Sequence, residues 1–571
     1  MEKTEGKSII ADIWRKISMK KLTSALIVFI LLTTLAPVRA VSAAQSVRVA
    51  LPTFNVTLNG TLVDSLYSEY PLIVYKGITY FPMTYYGCRY LGLQTNWSSE
   101  TGLDIRNTGI SCMYRDHRAG GKNDLSNNAT IVNTPVRLNG MMIDNTKEEY
   151  PLLLFRGLTY FPLTWRFAVD EFGWAYSFNH KDGLIINSAN PTVITLDIKT
   201  PSPSIDGSPV STSFFVIDGM YYLRGDNREI YRGSFNDSGE RGLVYLLPDD
   251  YWSHQKVYFY SRNNQFHINY LSRIGGEMWI DGTVRFNKDG SWEEVEPFWE
   301  YFGDVSVMVK PQSDPSTRSN LFIRYGDSAP FNFGDPGYSY GFDWQQGMFY
   351  SGGSESRSLY LIDNDIYVLA YELAKGVDTT GVYKVNTATN VTTRVVDAHV
   401  INFLIEGETL YYVNEADYRV YSMPLAGGDA TPLTGELSDG TGNGVLNRQI
   451  INYMTDIQVL NGTVYYIRTT FGLHGYQSRQ TLCRTGDSES STINSAAYAQ
   501  SIQLHNGYII ATFDSNDGNA YRLMVFNAAG DVVFKTSDNA MQSTITVGDG
   551  RLYYVESETR LVGTVRLPPN R

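Results

Sequence analysis

The turn Gly407-Glu408-Thr409 runs straight into Leu410-Tyr411-Tyr412-Val413, and the fold depends on how that stretch is read. A tight turn delivers the chain into an aliphatic–Tyr–Tyr–aliphatic tetrad, and aromatic residues suit a pleated, half-buried strand. The same phrase returns as Asp218-Gly219-Met220-Tyr221-Tyr222-Leu223, as Asn461-Gly462-Thr463-Val464-Tyr465-Tyr466-Ile467 and as Asp549-Gly550-Arg551-Leu552-Tyr553-Tyr554-Val555. Weaker copies start at Lys256, Asn364 and Asn506. From position 364 onward the turns are separated by 43, 55, 45 and 43 residues. A period of about 40–45 residues, with room for four short strands, is the spacing of propeller blades. The 108 residues between Lys256 and Asn364 hold more than one degenerate unit, so six to eight blades fit and seven is favoured. Only 21 residues follow the last turn. A strand near Phe214-Phe215-Val216 is therefore expected to complete the final blade and remove its open edge. The fold class is mainly β, with a β-propeller over residues 213–571. A pair of β-sandwiches is the alternative, and the regular spacing argues against it.

The stretch from Leu410 through Arg419-Val420-Tyr421-Ser422-Met423 and Gly427-Gly428 to Thr431-Pro432-Leu433-Thr434 resembles low-density-lipoprotein-receptor-type propellers. It is also similar to bacterial propeller domains of unknown function. The resemblance implies a fold and a binding habit, and no activity comes with it.

A second repeat lies upstream, at an offset of 80 residues. Leu58-Asn59-Gly60 recurs as Leu138-Asn139-Gly140, and Glu69-Tyr70-Pro71-Leu72 as Glu149-Tyr150-Pro151-Leu152. Gly77-Ile78-Thr79-Tyr80-Phe81-Pro82-Met83-Thr84 recurs as Gly157-Leu158-Thr159-Tyr160-Phe161-Pro162-Leu163-Thr164. Each unit reads as a hairpin with an Asn-Gly type I′ turn, a β-prone strand, a helix of about ten residues and closing strands. Pro82 and Pro162 suit a first helical turn. Gly92 and Gly173 stand where a helix ends, and Trp97 and Tyr176 open the closing strands. This order resembles the copper amine oxidase N-terminal-like, or stalk, domain found in secreted proteins of Gram-positive bacteria. The resemblance implies two small α+β stalk repeats, at 47–131 and 132–188, joined through a Pro-containing linker at 189–212 to the propeller. It does not bring oxidase chemistry. The Asn-Tyr pairs at 269–270 and 452–453 lack the acidic residue that follows a quinone-precursor tyrosine, and the seven histidines include no His-x-His pair. No cofactor or metal is expected.

The basic residues Lys16, Lys20 and Lys21 precede an apolar run at 22–36 and a small-residue zone, which together read as a signal peptide over residues 1–43. Val41-Ser42-Ala43 is the favoured cleavage tripeptide, with Ala40 the alternative, and Met19 is as natural a start as Met1. An apolar run of about 15 residues falls short of the ~20 needed to span a bilayer. The expected location is therefore secreted or extracellular, in association with the cell wall, with no membrane span after signal cleavage. Outside the cytoplasm, Cys88 and Cys112 are candidates for a disulfide closing a 24-residue loop, a link of about 3 kcal/mol. With 47 Lys+Arg against 59 Asp+Glu, the net charge is −12, which lacks the electrostatic footprint of a nucleic-acid binder. Hydrophobic residues at 43% against 19% charged exclude bulk disorder.

Chemistry-bearing motifs are few. Gly337-Tyr338-Ser339-Tyr340-Gly341 matches a nucleophile elbow, but that elbow joins a parallel strand to a helix and no helical period follows here. Phe286-Asn287-Lys288-Asp289-Gly290-Ser291-Trp292 reads as a hairpin. The stretch 514–519 has the composition of a Ca²⁺ loop but lacks its late glutamate. The strip Trp292, Glu293, Glu294, Glu296, Trp299 and Glu300 interleaves aromatics with carboxylates and is the candidate ligand-binding site, since rings stack on sugars and carboxylates accept from hydroxyls. The expected function is non-catalytic binding at the cell envelope. The stalk repeats would provide spacing or wall association, and the propeller would hold a cell-wall glycan or a surface protein. The alternative is a carbohydrate-active hydrolase or lyase using those carboxylates.

Overall fold

The computed structural model describes residues 45–201, 213–341, 359–435 and 448–570, apart from short segments at 226–227, 236–239, 250–255, 263, 276–277, 296–298, 311–318, 452–456, 472–476, 487–497 and 515–520. The proposed signal peptide and start site lie outside the described residues.

The duplicated region contains fourteen strands. The first repeat supplies β1 (Ser46–Ala50), β2 (Val56–Leu58), β3 (Thr61–Leu62), β4 (Ile73–Tyr75), β5 (Ile78–Pro82), β6 (Gly92–Ser98) and β7 (Gly102–Ile110). The second supplies β8 (Ser126–Ile131), β9 (Val136–Leu138), β10 (Met141–Met142), β11 (Leu153–Phe155), β12 (Leu158–Pro162), β13 (Ala175–Asn179) and β14 (Gly183–Asn187). The expected hairpin turns are present, with Asn59 and Gly60 at φ 45° and 85° and Asn139 and Gly140 at 49° and 87°. The helices are shorter than expected: six residues at Tyr85–Tyr90 and a seven-residue π-helical turn at Trp165–Glu171. Pro82 and Pro162 end strands rather than begin helices, because the caps are Thr84, whose hydroxyl accepts from the Gly87 amide, and Thr164. Gly92 and Gly173 do follow the caps with positive φ.

The repeats exchange strands instead of standing as two modules. Strands β1, β4 and β5 close a six-stranded barrel with β8, β11 and β12. The closing hairpin β6–β7 pairs with β9 of the other repeat, and β13–β14 pairs with β2. In the barrel Phe81 faces Phe161 and Arg48 faces Asn128, so residues 80 apart oppose each other. Self-opposed register is the signature of a two-fold axis, here within one chain. Both halves share one apolar core that includes Leu58, Phe81, Leu138, Phe161 and Trp174. This corrects the expected division: β8 belongs to the second repeat, so the boundary falls before residue 126 rather than at 131, and neither half closes a barrel alone.

Beyond it stand eight antiparallel sheets, at 214–246, 256–295, 299–333, 338–394, 400–432, 448–484, 499–536 and 546–566, here called blades 1 to 8. The first strands of several neighbouring blades pack on each other around the axis. Each blade is sandwiched between two others, so both faces of its second strand are buried. The tyrosine pair follows from that, because adjacent residues point to opposite faces. Tyr412 packs toward blade 4 and Tyr411 toward blade 6, while Tyr554 packs toward blade 7 and Tyr553 toward blade 1.

Among the described residues the propeller thus has eight blades, within the expected range but one more than the favoured seven. The missed unit is blade 3, whose second strand Val305–Val309 has no tyrosine pair. In blade 2 the turn is at Asn264 (φ 58°), so the sequence copy starting at Lys256 is the first strand and not the second. Ring closure also differs from expectation. Phe214–Ile217 opens blade 1, and blade 8 is completed by β15 (Ile194–Lys199), which pairs with Leu561–Arg566. The stretch 189–212, expected as a linker, therefore carries the closing strand. The closure is sealed by Phe214, Val216, Tyr553 and Val562, with Leu196 and Ile198 of β15 packed against them.

Candidate functional site

The barrel module is fused to the propeller by β pairing. Ser111, just beyond β7, donates its amide to the Lys535 carbonyl at 2.9 Å and accepts from the Ser537 amide at 3.0 Å, extending the last strand of blade 7. Met113 enters the apolar core between blades 7 and 8. Its amide donates to Asp538 Oδ2 at 2.8 Å, and the Tyr554 hydroxyl donates to the same oxygen at 2.6 Å. Burial pushes the Asp538 carboxyl up to about 6. Arg115 lies 3.9 Å over the Tyr86 ring and pairs with Glu556 at 3.2 Å and Glu558 at 2.8 Å.

Beside this joint is a cleft of about 350 Å³. The module contributes Leu91, Gly92, Phe172 and Gly173, which are the two symmetry-related helix ends, together with Asn107, Thr108 and Gly109 from β7. Asn190 comes from the connection to β15, and Val532, Val533, Phe534 and Lys535 come from the last strand of blade 7. The helix-end carbonyls are already satisfied: Asn107 Nδ2 donates to Phe172 O at 2.8 Å, and Asn59 Nδ2 to Tyr90 O at 3.2 Å. What remains is unbalanced. Partial burial holds the Lys535 ammonium below the ordinary lysine value, and no ion pair or hydrogen bond is formed by its side chain among the described residues. Asn190 is 8% exposed, and its Oδ1 has no partner; neither has Thr108 Oγ1. Both of these oxygens are closed off from solvent, so of the three groups only the Lys535 side chain is part-exposed. No nucleophile–base pair lies among the lining residues, and no cluster of metal-ligating side chains occurs among the described residues.

The strip expected as a binding site is divided. Trp292, Glu293 and Glu294 lie on the last strand of blade 2, whereas Trp299 and Glu300 lie on the first strand of blade 3. The two groups therefore stand on different blades, one on a last strand and the other on a first. Trp292 is 45% exposed and set edge-on to Tyr245, while Trp299 is 1% exposed, with Arg324 at 4.6 Å over its ring. Glu293 is paired with Arg285 at 2.7 Å, and Glu296 lies outside the described residues. Cys88 and Cys112 are not bridged: the first thiol is directed to Met83 Sδ and the second to the Tyr86 carbonyl, and burial pushes the Cys88 thiol up to about 12. Ser339 sits in an antiparallel strand opposite Tyr371, not in an elbow. The stretch 287–291 is a hairpin turn, as expected, closed by Asn287 and Ser291. The Ca²⁺-like stretch lies mostly outside the described residues. Lys535, Asn190 and Thr108 went unnoticed in the sequence because they belong to no motif and meet only through the joint.

No protein-family model matches the sequence, and no curated relative does either. Solved structures similar to it include BamB from Moraxella catarrhalis, at 11% identity over 66% of this chain and 98% of that one, TM-score 0.32. The β-propeller domain of the Trilobed protease from Pyrococcus furiosus is 10% identical over 54% of this chain and 94% of that one, TM-score 0.32. The β-propeller domain of Myceliophteria thermophila Cps50 (Swd1) is 8% identical over 66% of this chain and all of that one, TM-score 0.30. At such scores the propeller assignment rests on the strand order itself.

Proposed function

We propose that the protein is an exported, non-catalytic glycan-binding protein of the cell envelope, in which the two-fold barrel module and the propeller act as one holder. The observation that carries this reading is the cleft at their joint, built from both parts and bordered by Lys535, whose side chain forms no ion pair or hydrogen bond among the described residues. The resemblance of the duplicated units to stalk domains and the signal-peptide pattern support the location. No helix among the described residues is long and apolar enough to cross a membrane. The enzymatic alternative is weakened by the separation of Trp292–Glu294 from Trp299–Glu300 and by the pairing of Glu293.

The test is retention of the full chain on isolated cell walls, alongside a turnover screen on glycosides and polysaccharides. Retention that protease treatment of the walls leaves intact supports the proposal. Loss of retention after that treatment would point to a protein partner instead, and turnover abolished by Glu293→Gln or Glu300→Gln would overturn the non-catalytic reading.

A further inference from the structure

The barrel module carries an uncovered aromatic shelf. Strand β13 is the outer strand of its sheet and pairs on one side only, with β14. Across that ladder Tyr176 lies opposite Ile186, and Phe178 opposite Leu184. Residues opposite each other share a face of the sheet, and Ile186 and Leu184 belong to the apolar core. The two rings therefore face the core side, yet β13 overhangs the core and leaves them 36% and 52% exposed. The π-helical turn sets Trp165, 65% exposed, 6.5 Å from Tyr176. At the other end Phe54 and His180 stand 5.1 and 5.9 Å from Phe178. Tyr176 and Phe178 are two residues apart on one strand, hence about 7 Å apart. The result is a row one ring wide.

The two-fold relation shows that folding does not require this row. Thr95 stands opposite Ile105 in the first repeat, where Tyr176 stands opposite Ile186 in the second. Thr134 precedes Val136 by two residues as Phe54 precedes Val56, and those valines pair with Leu103 and Leu184. Equivalent backbone positions thus hold threonine in one half and a ring in the other. The first repeat keeps Tyr85 and Trp97, but Arg89 covers the Tyr85 ring at 3.5 Å.

Size and charge select what the shelf holds. The bare parts of Trp165, Tyr176 and Phe178 come to on the order of 350 Å², less than half of the ~800 Å² that each partner gives to a stable protein interface. A second copy or a folded protein needs more. Residues 46–187 carry 12 Lys+Arg and 12 Asp+Glu, and Arg166 beside the row is paired with Glu148. The module therefore has no net charge to draw a nucleic acid or an anionic membrane surface. Open rings in file suit the C–H faces of sugars. Trp165 and Tyr176 are inclined at 61°, and Phe178 and His180 at 77°. A flat crystalline surface calls for coplanar rings, whereas inclined ones follow a single chain whose successive sugars turn.

Resting on the glycan-binding reading, we infer that this shelf binds a single neutral polysaccharide chain, with successive sugar rings stacked on Trp165, Tyr176 and Phe178. The probes are hexamers of β-1,4-linked glucose and of β-1,4-linked N-acetylglucosamine, whose equatorial substituents leave C–H faces bare. Each is titrated into the full chain by calorimetry, with the monosaccharides and polygalacturonate as controls. At least one hexamer should bind a hundredfold or more tightly than its monosaccharide, and polygalacturonate should not displace it. Trp165→Ala should weaken that binding tenfold or more. Tyr176→Thr, the residue that the other repeat tolerates, should cost about threefold, and Trp97→Ala less than twofold. All three side chains are exposed, so the variants should melt like the parent. Failure of both hexamers, affinity no better than a monosaccharide's, displacement by polygalacturonate or indifference to Trp165→Ala would overturn the inference. Self-association abolished by Trp165→Ala would overturn it too, since a second copy would then cover the shelf. Wall retention with neither hexamer bound would sink the shelf and leave the broader reading to the cleft, whereas no retention of the parent on walls would sink that reading itself.

Discussion

Substituting Asp538 by asparagine should abolish an unusual pH dependence of stability. The carboxyl is fully enclosed at the joint, and its pKa is raised from 3.8 to about 6, chiefly by burial. In the folded chain it holds its proton where the unfolded chain has already released it. Between about pH 4 and 6 the folded state therefore binds more protons, and stability falls as pH rises. The contribution is fully present below the unfolded value and is lost as pH passes through the folded value. About two pH units at 1.4 kcal/mol each come to about 3 kcal/mol. In the Asp538→Asn variant the amide keeps one oxygen to accept from the Met113 amide and the Tyr554 hydroxyl, and it carries no charge. The assay is urea unfolding of both proteins at half-unit intervals from pH 4 to 8. The parent should lose about 3 kcal/mol relative to the variant across that range and then run parallel to it. A flat difference, or one of opposite slope, would refute the burial argument, because a solvated or well-paired carboxylate shows no such loss.

Gly102 and Gly183 have φ of 75° and 77°, and a Cβ on either would overlap a backbone carbonyl, Pro135 O or Asn55 O. Each Gly→Ala change should destabilise by more than about 3 kcal/mol, and by similar amounts given the two-fold relation; tolerance in denaturant titration would contradict the exchange of strands. A single repeat, residues 45–125, should be unfolded or dimeric by sedimentation and circular dichroism, never a folded monomer. Deleting β15 by starting the chain at residue 205 should leave Leu561–Arg566 as an open edge and give aggregation at concentrations where a chain starting at 190 stays monodisperse. Cys88 and Cys112 should resist a thiol reagent in the native protein and react at once in denaturant, since both are buried and their pKa values are raised; an oxidised pair in the native protein would restore the disulfide expectation.

The turns were readable because their requirement is local. Asn-Gly and Asp-Gly place positive φ where a two-residue hairpin needs it, and Asn59, Asn139, Asp218, Asn461, Asn506 and Asp549 all adopt it. The blade period was readable for the same reason wherever the tyrosine pair marked it. It failed in blade 3, where Val305–Val309 meets the same packing demand with aliphatic residues, because burial on both faces asks for apolar volume and not for tyrosine. The candidate site was not readable. The strip from Trp292 to Glu300 looked continuous only because sequence neighbours were taken as spatial neighbours, and the chain crosses a blade boundary between them.

Sequence alone determined that this chain is a duplicated small α+β unit followed by a ring of short antiparallel sheets, since turn geometry and the alternation of buried side chains are written within a few residues. Only the tertiary structure decided that the two repeats trade strands, that β15 closes the ring, and that Lys535, Asn190 and Thr108 border one cleft beside the joint. Those pairings join segments tens to hundreds of residues apart. Partner choice there is set by closing a barrel and a ring without leaving an edge, a global condition that no local pattern encodes.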